Sequence, residues 1–206
     1  RASVGASPSL ADVIKMVHPK PASASRRALY AYLIGRPYDV AALPGIVRHY
    51  EAYKAGQSAE VPKVPFQMLT SLDLDADAWR AIARNASWQM TRMNLNTFAR
   101  QGVFEDDELT ALIAERLASP ELVRGARAFP YQLMVAAMNA GDHVPGIVRD
   151  ALSTAMDVAL SNVPRIEGAI HVLPDVSGSM HSPVTGYRRG STSAGRCIDV
   201  AALVAA

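Results

Sequence analysis

Three oxygen-bearing side chains alternate along one short stretch, Asp175, Ser177 and Ser179 within Asp175-Val176-Ser177-Gly178-Ser179-Met180. A carboxylate and two hydroxyls at alternating positions of a tight loop can face one hard divalent cation, Mg²⁺ or Mn²⁺, directly or through water. The same triplet also suits a plain turn, in which Asx and Ser side chains bond their own backbone. It directly follows the apolar run 168–174, which reads as a strand, and ligand sites of open α/β sheets lie at the carboxyl ends of strands.

A second group of side chains offers positive charge. In Lys15-Met16-Val17-His18-Pro19-Lys20-Pro21 a helix must end at His18, because Pro19 disfavours helical geometry in the residue before it. An imidazole and two ammonium groups are thereby left at a helix terminus. They can contact phosphates, or the His can simply cap the last carbonyls while the lysines stay solvated. Arg26, Arg27 and Arg36 follow and could extend a phosphate-binding face, and Arg1 precedes.

Catalysis is not expected. The only bases near Ser177 and Ser179 in the chain are His171 and His181, too close in sequence to a turn to build a triad.

The elements that must position these groups are helices. Leu10, Val13, Ile14 and Val17 form an apolar stripe at helical spacing, as do Val148, Leu152, Met156, Ala159 and Val163, with Arg149, Ser153 and Asp157 opposite. Between them, 25–34, 43–55, 76–85, 87–101, 105–118 and 130–140 read as helices opened by small polar residues or Pro. Asp107 or Glu108 suits the first turn of the fifth, and Gly102 can close the fourth in a left-handed cap. Trp79, Trp88, Met90, Met93 and Phe98 are expected in the core rather than as base-stacking groups, and Asn94 and Asn96 are expected to bond a neighbouring turn rather than to line an RNA-facing surface.

Such a run suits a compact bundle or a HEAT-type α-solenoid, and the number of helices favours the solenoid. Near residue 164 the pattern changes to strand, loop and a helix beginning at Cys197, the opening unit of an α/β domain. The expected division is therefore 1–163 and 164–206. One strand and one helix cannot bury a parallel sheet, so the chain reads as a piece of a longer protein.

Composition agrees with a globular protein, with 50% apolar and 19% charged residues in 206. The single cysteine, Cys197, leaves no internal disulfide, and nothing resembles a secretory leader, so a cytoplasmic protein is expected. The net charge of +2 hides an asymmetry. Residues 1–103 hold 13 Lys or Arg against 7 Asp or Glu (+6), whereas 104–206 hold 8 against 12 (−4). A basic half can attract phosphates, although ordinary solvated helix faces would give the same count.

Several segments share one resemblance. The run from Ser9 to Pro21 resembles the Ro-autoantigen (TROVE) segment in which a short basic helix ends in His, shortly followed by Lys and Pro. Val64-Pro65-Phe66-Gln67-Met68-Leu69, then Trp88 with Met93-Asn94-Leu95-Asn96-Thr97-Phe98, then Phe129-Pro130-Tyr131 follow in the family's order. The run His171 to Met180 resembles the start of a von Willebrand factor A-type domain with its metal-ion-dependent adhesion site (MIDAS).

The resemblance implies a ring of HEAT-like hairpins closed by the A-type domain. It implies an RNA-binding ribonucleoprotein that takes Y-like small noncoding RNA and the single-stranded ends of defective RNA for quality control, with an exoribonuclease as protein partner. His18 would contact RNA, supported by Lys15, Lys20, Arg26 and Arg1. A second upstream basic residue of the family falls near Gly5, a departure from its pattern. Asp175, Ser177 and Ser179 would hold a divalent cation, with a Thr and an Asp from later loops. The alternative function is a metal-dependent protein-interaction module.

Overall fold

The computed structural model describes residues 8–187 and 193–205. The chain forms two compact units, 1–73 and 74–206, divided inside the stretch expected to be helical. Arg1 lies outside the described residues.

The first unit holds α1 (Leu10–Val17), α2 (Ala24–Leu33), α3 (Gly45–Lys54) and the single turn α4 (Phe66–Leu69). Ser9 and Asp12 start α1 with a capping box: the Asp12 amide donates to Ser9 Oγ at 3.2 Å, and the Ser9 amide donates back to Asp12 Oδ2 at 3.0 Å. Only Ile14 of the expected stripe is buried, with Leu10 half-buried, whereas Val13 and Val17 are exposed, so α1 rests on one narrow contact with α2. The Tyr32 hydroxyl on α2 donates to Glu51 Oε1 on α3 at 2.6 Å, and Lys54 binds the same carboxylate at 2.8 Å.

The second unit holds α5 (Ala76–Asn85), α6 (Trp88–Met93), α7 (Leu95–Arg100), α8 (Asp107–Ala118), α9 (Pro120–Gly125), α10 (Pro130–Asn139), α11 (Gly146–Ala159) and α12 (Cys197–Ala205). Asp106 caps α8 by accepting the Leu109 amide at 2.9 Å, with Asp107 and Glu108 in the first turn as the helix dipole favours. Gly102 adopts a left-handed φ of 69° just past α7.

Helix α8 packs against α5, α6 and α11, and α11 packs in turn against α9 and α10. Phe98, Leu109, Ile113, Leu117, Leu133, Val148 and Leu152 are fully buried between them. Each such side chain contributes roughly 1.5–3 kcal/mol on leaving water, so this cluster is the main stabilising feature of the unit. The mainly helical architecture expected from the sequence is the one found.

Several particulars differ from expectation. The helix expected over 87–101 is two helices meeting at Asn94, whose side chain donates to the Met90 carbonyl at 2.8 Å and competes with the ladder there. Met93, the last residue of α6, is not core but 68% exposed, while Trp79, Trp88 and Phe98 are buried. Helices α4 and α9 were not expected. The segment 168–174, expected as a strand, forms no ladder; among the described residues the one β-bridge joins Pro183 and Arg196. The helix expected after that segment is present as α12.

Candidate nucleic-acid interface

Helix α1 ends on an uncommon conformation. His18 occupies the left-handed region at φ 49° and ψ 54°, where its amide donates to the Ile14 carbonyl at 3.1 Å and closes the last turn. Glycine would do this without strain, whereas a residue with a Cβ is held there at a cost of roughly 1–2 kcal/mol. The ring Nδ1 lies 3.3 Å from the Met16 carbonyl, and the exposed Nε2 has no protein partner among the described residues.

The His18 backbone therefore caps the helix, as one of the sequence alternatives expects, and its side chain is exposed. Lys15 and Lys20, on either side in sequence, are exposed and form no salt bridge among the described residues. The Ser9 hydroxyl and amide hold the Asp12 carboxyl below the usual Asp range, with Lys15 adding to the effect.

Helix α2 begins at the Ser23 cap, whose hydroxyl accepts the Arg26 amide at 3.2 Å. Arg26 and Arg27 then stand in the first turn with no acidic residue beside them, where the helix dipole disfavours cations by roughly 0.3–1 kcal/mol. Both are exposed and without an ion pair among the described residues. His18, Lys15, Lys20 and Arg26 thus share the stretch from α1 through the first turn of α2.

In the second unit, Asp175, Ser177 and Ser179 come together. Asp175 Oδ1 accepts the Ser177 amide at 2.8 Å, Oδ2 accepts the Ser177 hydroxyl at 3.1 Å, and the Ser177 and Ser179 hydroxyls are 3.0 Å apart. These bonds hold the Asp175 carboxyl below its ordinary range. An Asx turn accounts for the Asp175–Ser177 bonds, and the loop also gathers three oxygen donors of the type Mg²⁺ prefers. The residues fit half of such a coordination sphere. No group of three or more His, Cys, Asp or Glu able to hold a metal occurs among the described residues.

The segment after this loop is joined to the start of α12 by backbone bonds, the Cys197 amide donating to the Ser182 carbonyl at 3.0 Å and the Val184 amide to the Gly195 carbonyl at 2.9 Å. Arg196 grips the Asp199 carboxylate through Nε at 3.2 Å and Nη2 at 3.0 Å, and its Nη1 lies 3.4 Å from His181 Nδ1. No hydrogen bond joins His171 or His181 to Ser177 or Ser179 among the described residues. Sequence reasoning missed the Arg196–Asp199 pair, although its i,i+3 spacing at a helix start was a readable signal. No described helix is long and apolar enough to cross a membrane.

No protein-family model matches the chain. A curated relative, RNA-binding protein RO60 of Deinococcus radiodurans, is 27% identical over 194 residues, covering 84% of this chain and 36% of the relative. The crystal structure of the Deinococcus radiodurans Ro (Rsr) protein is similar with a TM-score of 0.63 at 24% identity, over 86% of this chain and 40% of that one. The chain thus spans little more than a third of the length of the curated relative. At that identity the solved structure speaks for the fold, and the curated relative adds a sequence likeness to the same kind of protein, so the chain is similar to Ro, or TROVE, proteins in both.

Proposed function

We propose that this chain is the RNA-holding part of a Ro-type ribonucleoprotein, a scaffold without catalysis that takes Y-like small noncoding RNA and the single-stranded ends of defective RNA. One observation carries the reading. His18 is held in a left-handed conformation at the end of α1, exposed between Lys15 and Lys20, an outlier of the kind that clusters at functional sites. The name of the curated relative, an RNA-binding protein, supports it.

In this reading the lysines and Arg26 neutralise phosphates, which gives affinity that falls steeply with salt, and His18 supplies a hydrogen bond to a phosphate or base edge. The test is fluorescence anisotropy with a structured small RNA at two salt concentrations. His18→Ala should weaken binding by roughly 1–3 kcal/mol, the value of one lost hydrogen bond of this kind. His18→Gly should weaken it equally while raising the thermal midpoint, because glycine relieves the left-handed strain. Unchanged affinity at low salt in both variants would remove His18 from the interface.

A second reading rests on the gathered oxygens of Asp175, Ser177 and Ser179. In it a divalent cation, Mg²⁺ or Mn²⁺, bridges this loop to an acidic side chain of a partner protein, the cation keeping its remaining positions for water, later loops and that partner. Calorimetry with Mg²⁺ and Mn²⁺ on the intact protein, beside Asp175→Asn, tests it, and equal heats in both proteins would exclude it.

A further inference from the structure

Helix α2 turns a row of alanines toward the loop that follows it. Ala24, Ala28 and Ala31 lie three and four residues apart, on one face, and with Ala42 they line a cleft of about 240 Å³. That is below the roughly 300–1,000 Å³ of ordinary small-molecule sites, which leaves space for a single planar ring rather than a whole cofactor.

The rim is polar and fixed. Tyr38 stands edge-on to Tyr32, with ring centroids 5.5 Å apart at 87°, and Tyr32 is tethered through its hydroxyl to Glu51 at 2.6 Å. Tyr38 itself remains 39% exposed. Asp39 is oriented by the Ala41 amide, which donates to its Oδ1 at 2.9 Å, while Oδ2 has no partner among the described residues. Arg27 lines the same cleft and forms no ion pair with Asp39.

A purely apolar ligand would make no use of Arg27 and Asp39 on the rim. A simple anion would meet the Asp39 charge. A planar base with an amino group satisfies all three groups at once: Tyr38 for stacking, Asp39 Oδ2 for the amino donor, and Arg27 for the attached phosphate. The Arg26 and Arg27 pair, with no acid on α2, supplies the positive field that a polynucleotide needs.

We propose that the cleft between α2 and residues 37–42 receives one unpaired base of an RNA strand, favouring adenine, cytosine or guanine over uracil. This deepens the RNA-binding reading and rests on it for the polymer that delivers the base. The experiment is amide NMR of the chain titrated with AMP, CMP, GMP, UMP, ribose 5-phosphate and glycine. AMP, CMP and GMP should shift the amides of residues 27–42, and UMP should do so at least fivefold more weakly.

Tyr38→Ala should lower nucleotide affinity about 5- to 150-fold, the worth of one stacked base. Asp39→Asn, an exposed change that leaves the fold intact, should abolish the preference over uracil. Equal shifts from ribose 5-phosphate and the nucleotides, stronger shifts from glycine, or no shift near the cleft would overturn the proposal. If a small RNA binds at low salt but is indifferent to Tyr38→Ala, Asp39→Asn and abasic substitution, the base cleft falls while the RNA-holding reading stands. If nucleotides occupy the cleft and the RNA does not bind, the scaffold reading falls and with it the delivery of a base by RNA, leaving only a mononucleotide site.

Discussion

Asn96 joins two helices that are far apart in the chain: its Nδ2 donates to the Asn139 carbonyl at 2.6 Å, and its Oδ1 accepts the Gly141 amide at 2.9 Å. The start of α7 is thereby clamped to the end of α10. Asn139 continues the chain of bonds, because its side chain donates to Ser193 Oγ at 3.2 Å and accepts the Ala194 amide at 2.8 Å. Three amide or hydroxyl side chains thus tie two helices to the segment just before α12.

Asn96→Ala should lower stability by about 1 kcal/mol, since two bonds are lost at a solvent-facing site that water partly repairs. Asn96→Asp, which keeps the acceptor and turns the donor into a charge facing a carbonyl, should cost more. Chemical denaturation of both variants checks the order.

Arg116 holds no carboxylate. Its Nη1 donates to the Ala83 carbonyl at 2.7 Å and to Thr91 Oγ1 at 3.1 Å, and its Nη2 donates to the Arg84 carbonyl at 2.6 Å. A guanidinium is therefore the C-terminal cap of α5, and burial lowers its pKa without neutralising it. Arg116→Met should cost roughly 2–3 kcal/mol through carbonyls left without a donor, and Arg116→Lys should recover only part because one ammonium cannot span the three acceptors. Thermal midpoints of the two proteins measure this.

Arg26 sets stability against binding. Arg26→Glu should raise stability by roughly 0.3–1 kcal/mol, because an anion belongs in the first turn of α2. The same change should weaken RNA binding and flatten its salt dependence. A thermal midpoint and an affinity that rise together would show that Arg26 has no part in the interface.

Acid should loosen α1. The Asp12 carboxyl has a folded pKa below its unfolded value, so its contribution is present above the unfolded pKa near about 3.9 and is lost as pH falls through the lower folded value. Amide shifts of residues 9–14, followed from pH 6 downward, should move in this acid range. Asp12→Asn should abolish that step, and a step that persists would point to another carboxylate.

Much of this architecture could be read from spacing and caps. Helix α5 begins and ends where Asp75, the apolar period and Asn85 indicate, and α11 buries Val148, Leu152 and Ala159 as its stripe requires. Asn96 bonds a neighbouring turn, as its position inside an apolar helix suggested. Helix α9 escaped notice although Ser119 and Pro120 form a cap and first-turn pair, because six residues are too few to display a period. The Arg116 cap had no local signal at all: its acceptors lie 25 to 33 residues away. At the candidate interface the residue types were readable, but the left-handed backbone of His18 was not, since a following proline predicts only where a helix stops. The cleft beside α2 was equally hidden, as Ala24, Ala28 and Ala31 read as ordinary helix formers until the loop after α2, with Ala42, folds back over them.

The unpaired stretch 168–176 carries a cost in solution. Ile170, Val172, Leu173 and Val176 are exposed, Leu173 at 90%, on backbone whose amides and carbonyls have no ladder. β-branched and leucyl side chains on open extended chain form an adhesive edge that a second molecule can extend by strand addition. Pro174 is the one residue in the stretch that cannot donate to an added strand. A lysine at position 172 would be the gatekeeper that keeps concentrated samples clear.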